Sequence, residues 1–259
     1  ALDFSGKILW KRNLQKDHGP FTIWWGFANS SIVTDGRVIT VCMQDSLADR
    51  RPQPVQSYVV AHDLKTGRVL WKTVRKTRAD GEQCDSYTTP LLLTVGGRRQ
   101  LVIMGGNQLD GYNPANGRQL WFLPGLIGGR TVPSPTASDG LIYAVRGLRG
   151  AIVAVKPKGQ GQLSQEQITW SHRQNTPDTC CPLVYGGLLF TVADDGIAQC
   201  LDAKSGKLQW RTRLKGPFKA SPIAAEGRIY FPSTTGVCTV IAAQRKLKQL
   251  AANTLDDQL

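Results

Sequence analysis

An eleven-residue phrase recurs along this chain and constrains its fold more than any other feature. Ala61-His62-Asp63-Leu64-Lys65-Thr66-Gly67-Arg68-Val69-Leu70-Trp71 sets the pattern. Cys200-Leu201-Asp202-Ala203-Lys204-Ser205-Gly206-Lys207-Leu208-Gln209-Trp210 and the stretch from Gly111 through Asn113 and Gly117 to Trp121 repeat it. Ala1 to Trp10 is a copy one residue shorter in its turn. Ala154-Val155-Lys156-Pro157 opens a fifth copy, whose tryptophan is delayed to Trp170, and Ile241 to Leu250 is a decayed sixth. The physics is that of a β-hairpin. The Asp63 or Asp202 side chain bonds backbone N–H groups two residues on and starts a turn. Gly67 or Gly206 takes the positive φ which that turn needs. The tryptophan packs back across the hairpin, over the small residue at the first position.

A second phrase precedes each hairpin: Ser or Cys, Pro, a few apolar or small residues, Gly, then an apolar strand. Ser221-Pro222 through Phe231, Ser134-Pro135 through Tyr143 and Cys181-Pro182 through Phe190 are its clear copies, while Thr89-Pro90 and Ser30-Ser31 begin looser ones. Proline at the first residue of a strand costs no ladder bond. Two strands from each phrase make a four-stranded unit. Trp10, Trp71, Trp121, Trp170 and Trp210 are 40 to 61 residues apart, which suits blades of roughly 40–45 residues with insertions at 44–56 and 158–166. Continuous helical periodicity is absent. The chain reads as all-β, a single β-propeller domain of four-stranded antiparallel blades. The blades are expected at 15–75, 76–124, 125–173, 174–214 and 215–255, with 1–14 the end of a truncated blade.

Composition narrows the function. Among 259 residues, 32 are Lys or Arg and 19 Asp or Glu, a formal net charge of +13. The cations are spread along the chain, and the densest runs, Arg50-Arg51 and Arg245-Lys246-Leu247-Lys248, are short. This predicts a solvated basic surface with a general attraction for anionic lipid or polyanions, and no specific nucleic-acid partner. Six cysteines without a CxxC pair, and three histidines, do not make a zinc site. No apolar run reaches the roughly 18 residues of a membrane helix, and no signal peptide is visible. P-loop, HExxH, nucleophile-elbow and CxxCH haem-attachment patterns are all missing.

The A-x-D-x-x-T-G-x-x-x-W phrase resembles the tryptophan-docking repeat of quinoprotein-type propellers. That family includes pyrroloquinoline quinone (PQQ)-dependent alcohol dehydrogenases, a non-enzymatic lipoprotein that assists outer-membrane protein assembly, and many bacterial exported proteins. The resemblance covers nearly the whole chain. It implies a ring of seven or eight blades of which this chain is the C-terminal part, with the first strand of each blade innermost, and a periplasmic or exported location. The loops entering each innermost strand then line one mouth of a central channel. Here they hold Trp24, Trp25, Glu82, Cys84, Asp85, Tyr87, Arg130, Asp178, Cys180, Cys181 and Lys219. The loops between second and third strands open on the same face, with Gln44, Asp45, Asn107, Arg146, Asp194, Asp195 and Ser233.

Two functions follow from these residues. The first is a non-enzymatic scaffold that presents the channel mouth to a protein or envelope polymer, without catalytic residue, cofactor or metal. The second is a PQQ- and calcium-dependent alcohol or sugar dehydrogenase. For that enzyme the resemblance implies a vicinal disulfide on the cofactor face, and Cys180-Cys181 stands at a similar point. The plainer reading makes Cys181 the Ser of the Ser-Pro phrase and Cys180 a buried small residue, as in Ala220-Ser221-Pro222. A dehydrogenase also needs a carboxylate base and calcium ligands. Glu82, Asp85, Asp178, Asp194 and Asp195 are available, but none lies in a specific motif, and each reads more simply as a solvated loop carboxylate. Trp24-Trp25 is either a stacking platform for a sugar or quinone, which opens carbohydrate binding as a lesser function, or, more economically, a plug beneath the inner strands. Asn29-Ser30-Ser31 is a formal glycosylation sequon.

Overall fold

The computed structural model describes residues 1–44, 56–148 and 150–257. Asp45 and nearly all of the first insertion lie outside them. The structure is a β-propeller built from five meanders of four antiparallel strands. The first sheet comprises β1 (Ile32–Thr34), β2 (Arg37–Cys42), β3 (Tyr58–Asp63) and β4 (Val69–Val74). The second comprises β5 (Leu91–Val95), β6 (Arg98–Gly105), β7 (Gln108–Tyr112) and β8 (Gln119–Leu123). The third runs through β9 (Thr136–Ser138), β10 (Leu141–Val145) and β11 (Ile152–Val155). The chain then leaves it for β12 (Gly161–Gln162) and returns in β13 (Ile168–His172). The fourth comprises β14 (Leu183–Tyr185), β15 (Leu188–Val192), β16 (Ile197–Asp202) and β17 (Leu208–Arg213). The fifth comprises β18 (Ile223–Ala225), β19 (Arg228–Pro232), β20 (Val237–Ala242) and β21 (Gln249–Thr254).

The chain divides into two compact units, Ala1–Arg130 with Gly159–Leu163, and Thr131–Lys158 with Ser164–Leu259. The second insertion explains the unusual boundary. It does not simply lengthen the third sheet: β12 pairs parallel with β8, and Leu163 N–H donates to Phe122 O at 2.8 Å. The insertion thereby adds a fifth strand to the second sheet.

Strand alternation directs one apolar row of each sheet toward its neighbour. In the first unit Ile39, Val41, Val59, Leu101, Ile103 and Tyr112 form such a core. In the second unit Tyr143, Leu189 and Leu201 form one, and Phe190, Trp210, Phe218 and Phe231 another.

The hairpins show where the sequence reading needs correcting. Four of the five repeat tryptophans do oppose the small residue across the hairpin, in the pairs Ala61–Trp71, Gly111–Trp121, Ala154–Trp170 and Cys200–Trp210. The indoles, however, are not spent within their own hairpins. The indole N–H of Trp10 donates to Leu64 O (2.8 Å), that of Trp71 to Pro114 O (3.2 Å), that of Trp170 to Ala203 O (2.9 Å) and that of Trp210 to Gln244 O (3.1 Å). Each acceptor lies in the equivalent turn of the next blade. Trp121 alone of the five turns to its own sheet, donating to Gln100 Oε1 at 2.7 Å.

The receiving turn is built as expected. Asp63 Oδ1 accepts from Thr66 N–H (2.7 Å) and Lys65 N–H (3.1 Å), and Asp202 Oδ1 accepts from Ser205 N–H (2.9 Å). Gly67 and Gly206 have φ of +68° and +71°, and a Cβ on either would stand 2.6 Å from the visiting indole.

A short helix escapes the sequence reading: α1 (Leu14–His18), capped by Asn13 Oδ1 accepting from Gln15 N–H at 3.0 Å. Among the described residues, no helix is long and apolar enough to cross a membrane.

Candidate functional site

In a four-stranded meander the hairpins joining strands one to two and three to four lie at one end of the blade, the hairpin end. The turn between strands two and three meets the loop that enters the first strand at the other, the entry end. The candidate residues are at the entry end, one set in each unit.

In the first unit, the loop ahead of β1 carries Trp24 and Trp25. Both stand in solvent, at 56% and 76% exposure, and not beneath the inner strands. The interior places of the loop are already filled. Thr22 and Ile23 are buried, Phe21 and Phe27 stack at 4.8 Å, and both phenyl rings pack against Cys42, Tyr58 and Val60. The turn closes with Gly26 N–H on Ile23 O, leaving the tryptophans on its outer side.

This loop is braced. Thr22 N–H donates to Gln44 Oε1 (3.1 Å), Trp24 N–H to Asp85 Oδ2 (3.3 Å), and Asn29 Nδ2 to Thr88 O (3.1 Å). Asp85 is therefore not a solvated carboxylate: it is wholly buried behind the 3₁₀ turn Gly81–Cys84. Asn29, the sequon residue, is also buried. Burial raises the Tyr87 hydroxyl above the ordinary tyrosine value, and the Asp85 charge adds to the effect. Arg130 meets Glu82 at 3.5 Å, and Cys84 is half-buried.

In the second unit, Asp194 organises the loops ahead of β14 and β18. Its Oδ1 accepts from Asp178 N–H and Thr179 N–H, both at 3.1 Å. Its Oδ2 accepts from Thr179 Oγ1 (3.0 Å) and Lys219 Nζ (2.6 Å). Burial would raise this carboxyl, but the Lys219 and Thr179 bonds outweigh it and hold Asp194 below the usual range. Asp195 stays at the surface, 3.5 Å from Arg213. Ser233 is buried and accepts from Val237 N–H (3.1 Å), and Arg146 N–H closes the corresponding turn of the third sheet on Ala151 O (2.9 Å).

Cys180 is buried, its thiol donating to Ala220 O at 3.3 Å and pushed up to about 12 by burial. Cys181 takes the place of the Ser. Its Sγ accepts from Ser134 N–H (3.1 Å), and its own N–H donates to Ser221 Oγ (2.9 Å). The relay from Ser134 through Cys181 to Ser221 ties the starts of three consecutive inner strands. The two cysteines are free thiols.

Two interactions escaped sequence reading, the first made by a residue it had already placed on this face. Asn107, at the tip of the β6–β7 turn, repeats the role of Asp194. Its Oδ1 accepts from Gly128 N–H (3.1 Å) and its Nδ2 donates to Gln83 Oε1 (2.6 Å), so it holds the loops on either side. The Gly105-Gly106-Asn107 run was the available signal. The second is a buried ion pair: Arg75, just after β4, clasps Asp110 of β7, which Gln108 and Gln119 also bond. Burial pushes the Asp110 carboxyl up, opposed by Arg75 and the glutamines.

A quinone–calcium centre asks for free carboxylate and amide oxygens around one point. Among the described residues, no three His, Cys, Asp or Glu side chains gather to hold a metal. The Asp194 oxygens already serve four donors, one of them a lysine ammonium, and Cys180 is enclosed. These residues do not fit that centre.

A family model described as outer membrane protein assembly factor BamB matches residues 1–179 and 149–249. A search of curated protein sequences finds no match. Among solved structures, BamB from Moraxella catarrhalis is similar, with a TM-score of 0.58 and 12% identity over 88% of this chain and 64% of that one. The quinohemoprotein alcohol dehydrogenase from Comamonas testosteroni gives a TM-score of 0.58 and 14% identity over 88% and 43%. The computationally designed Ika8 protein gives 0.59 and 13% over 89% and 63%. The chain thus spans less than two thirds of each of these proteins. At such identities the likeness speaks for the fold.

Proposed function

The chain belongs to the family of the outer membrane protein assembly factor BamB, and from that premise we propose that it is a non-enzymatic propeller of the bacterial cell envelope that presents its entry-end loops to a protein partner. One observation carries this reading. At the entry end, polar side chains such as Asp85, Asp194, Gln44 and Asn107 are used to brace loops, while two large aromatics, Trp24 and Trp25, are held outward on a braced loop. Exposed aromatics on a rigid support are the side chains that anchor protein interfaces. Membership of this family supports an envelope location and a protein as the class of partner. The competing reading is a PQQ- and calcium-dependent dehydrogenase.

Two measurements separate them. Capture of a partner from envelope extract is expected with the parent chain and is expected to fall at least tenfold with Trp24→Ala/Trp25→Ala, with the unfolding midpoint unchanged. Calorimetric titration with PQQ, with and without calcium, is expected to give no heat of binding. Near-stoichiometric calcium-dependent binding would put the dehydrogenase reading first, and capture indifferent to the tryptophans would remove the proposed face.

A further inference from the structure

The hairpin ends of the fourth and fifth blades are fastened together into one surface. Arg245, in the turn before β21, donates to Asp202 Oδ2 (2.6 Å) and Gln209 Oε1 (3.2 Å) of the fourth blade, and the Trp210 indole donates to Gln244 O. This surface carries six cations against two carboxylates, a net charge of +4. Both carboxylates are engaged, Asp202 by Arg245 and Glu226 by Arg228 at 3.8 Å. Lys204, Lys207, Lys246 and Lys248 are exposed and have no carboxylate partner among the described residues. The entry end of the same two blades carries four cations and five aspartates, a net −1. The excess charge is therefore placed at one end and not spread evenly.

Its chemistry identifies the counterpart. Leu247 stands in the turn between Lys246 and Lys248, 40% exposed. A lysine-flanked leucine on an exposed turn gives a bilayer surface two matching contacts: ammonium groups at the lipid phosphates and an alkyl group in the interfacial layer. We infer that the hairpin end of the fourth and fifth blades docks on an anionic lipid bilayer. Docking leaves the entry end of these blades facing away from the lipid and free for a partner, and it does not depend on what that partner is.

The test is co-sedimentation of the whole chain with phosphatidylcholine vesicles carrying about 30 mol% phosphatidylglycerol, against pure phosphatidylcholine. Each lysine near an anionic leaflet contributes about fivefold to partitioning. Lys204→Gln/Lys207→Gln/Lys246→Gln/Lys248→Gln is expected to weaken binding about 100-fold or more. A control of equal net charge, Lys16→Gln/Lys76→Gln/Arg78→Gln/Lys215→Gln, is expected to change it by less than about fivefold. Leu247→Gln is expected to weaken vesicle binding several-fold and leave binding to soluble polyphosphate unaltered. All substituted side chains are exposed, and matching unfolding midpoints verify that the fold is kept. The inference is overturned by absence of binding to the anionic vesicles, or by equal losses in the two quadruple variants. Indifference of vesicle binding to Leu247→Gln, together with tight polyphosphate binding, would also overturn it and make the patch a polyanion site.

Discussion

Gly206 answers two demands at once: a φ of +71° and an indole where its Cβ would be. Gly140, in the β9–β10 turn, answers one, with φ +76° and open space around it. The two positions separate backbone strain from crowding. Gly140→Ala is expected to cost about 1–2 kcal/mol, the left-handed penalty alone. Gly206→Ala is expected to cost about 3 kcal/mol or more, because Trp170 must also give way. Urea unfolding midpoints measure both.

Histidines set a second prediction at this scale. His62 stacks with Trp10 (6.3 Å between centroids) and His18 meets Tyr58 edge-on (5.1 Å). Burial lowers both below the ordinary histidine value, reinforced at His62 by the charges of His18 and Arg12 and at His18 by that of Lys72. A folded state that disfavours the proton contributes stability fully above the unfolded value near 6.5, and loses it as pH falls through the lower folded values. Unfolding midpoints between pH 7.5 and 5 are expected to decline less steeply in His62→Gln than in the parent chain.

At the scale of elements, the latch residues at the turns between second and third strands do the holding. Asp194→Ala removes the acceptor for two backbone N–H groups and for Lys219. It is expected to cost about 2–3 kcal/mol and to speed hydrogen exchange at Asp178 and Thr179. Asp195→Ala, losing a solvated pair with Arg213 and one long, exposed bond from Ile197 N–H (3.3 Å), is expected to stay within about 1 kcal/mol. How far elements were legible in the sequence follows from range. Hairpin turns such as Asp63 to Gly67 are made by residues a few positions apart, so composition reveals them. The latches join residues 15 to 25 positions apart, the Arg75–Asp110 clasp joins residues 35 apart, and β12 crosses to β8. Such partners are chosen by the packed fold and leave no local trace. Trp24 and Trp25 were misjudged for the same reason: Phe21, Ile23 and Phe27 had already filled the interior positions, and only the structure shows which apolar residues of one loop win them.

For the whole molecule, the division into two units has a measurable counterpart. Each unit has its own buried core, and repeat folds distribute stability over neighbouring units. Asp110→Ala strands Arg75 in the first core and is expected to cost about 3–5 kcal/mol there. Hydrogen exchange is expected to rise chiefly over residues 1–130 and little over 174–257. A uniform rise would show a single cooperative unit. The net charge of +13 also acts at this scale, as a general attraction to anionic surfaces that salt screens.

The indole joints run in one direction. At four of them the tryptophan precedes its seat along the chain. The register of the last hairpin puts Ala251, opposite Val240, where Trp210 stands opposite Cys200 one blade before. On a ribosome, where a chain emerges from its N-terminus, each of these indoles is therefore out before its seat, and the joint can close as soon as the next turn clears the exit tunnel. At these four joints no seat waits for a side chain still to be synthesised. The order of residues along the chain would thus serve as the order of assembly.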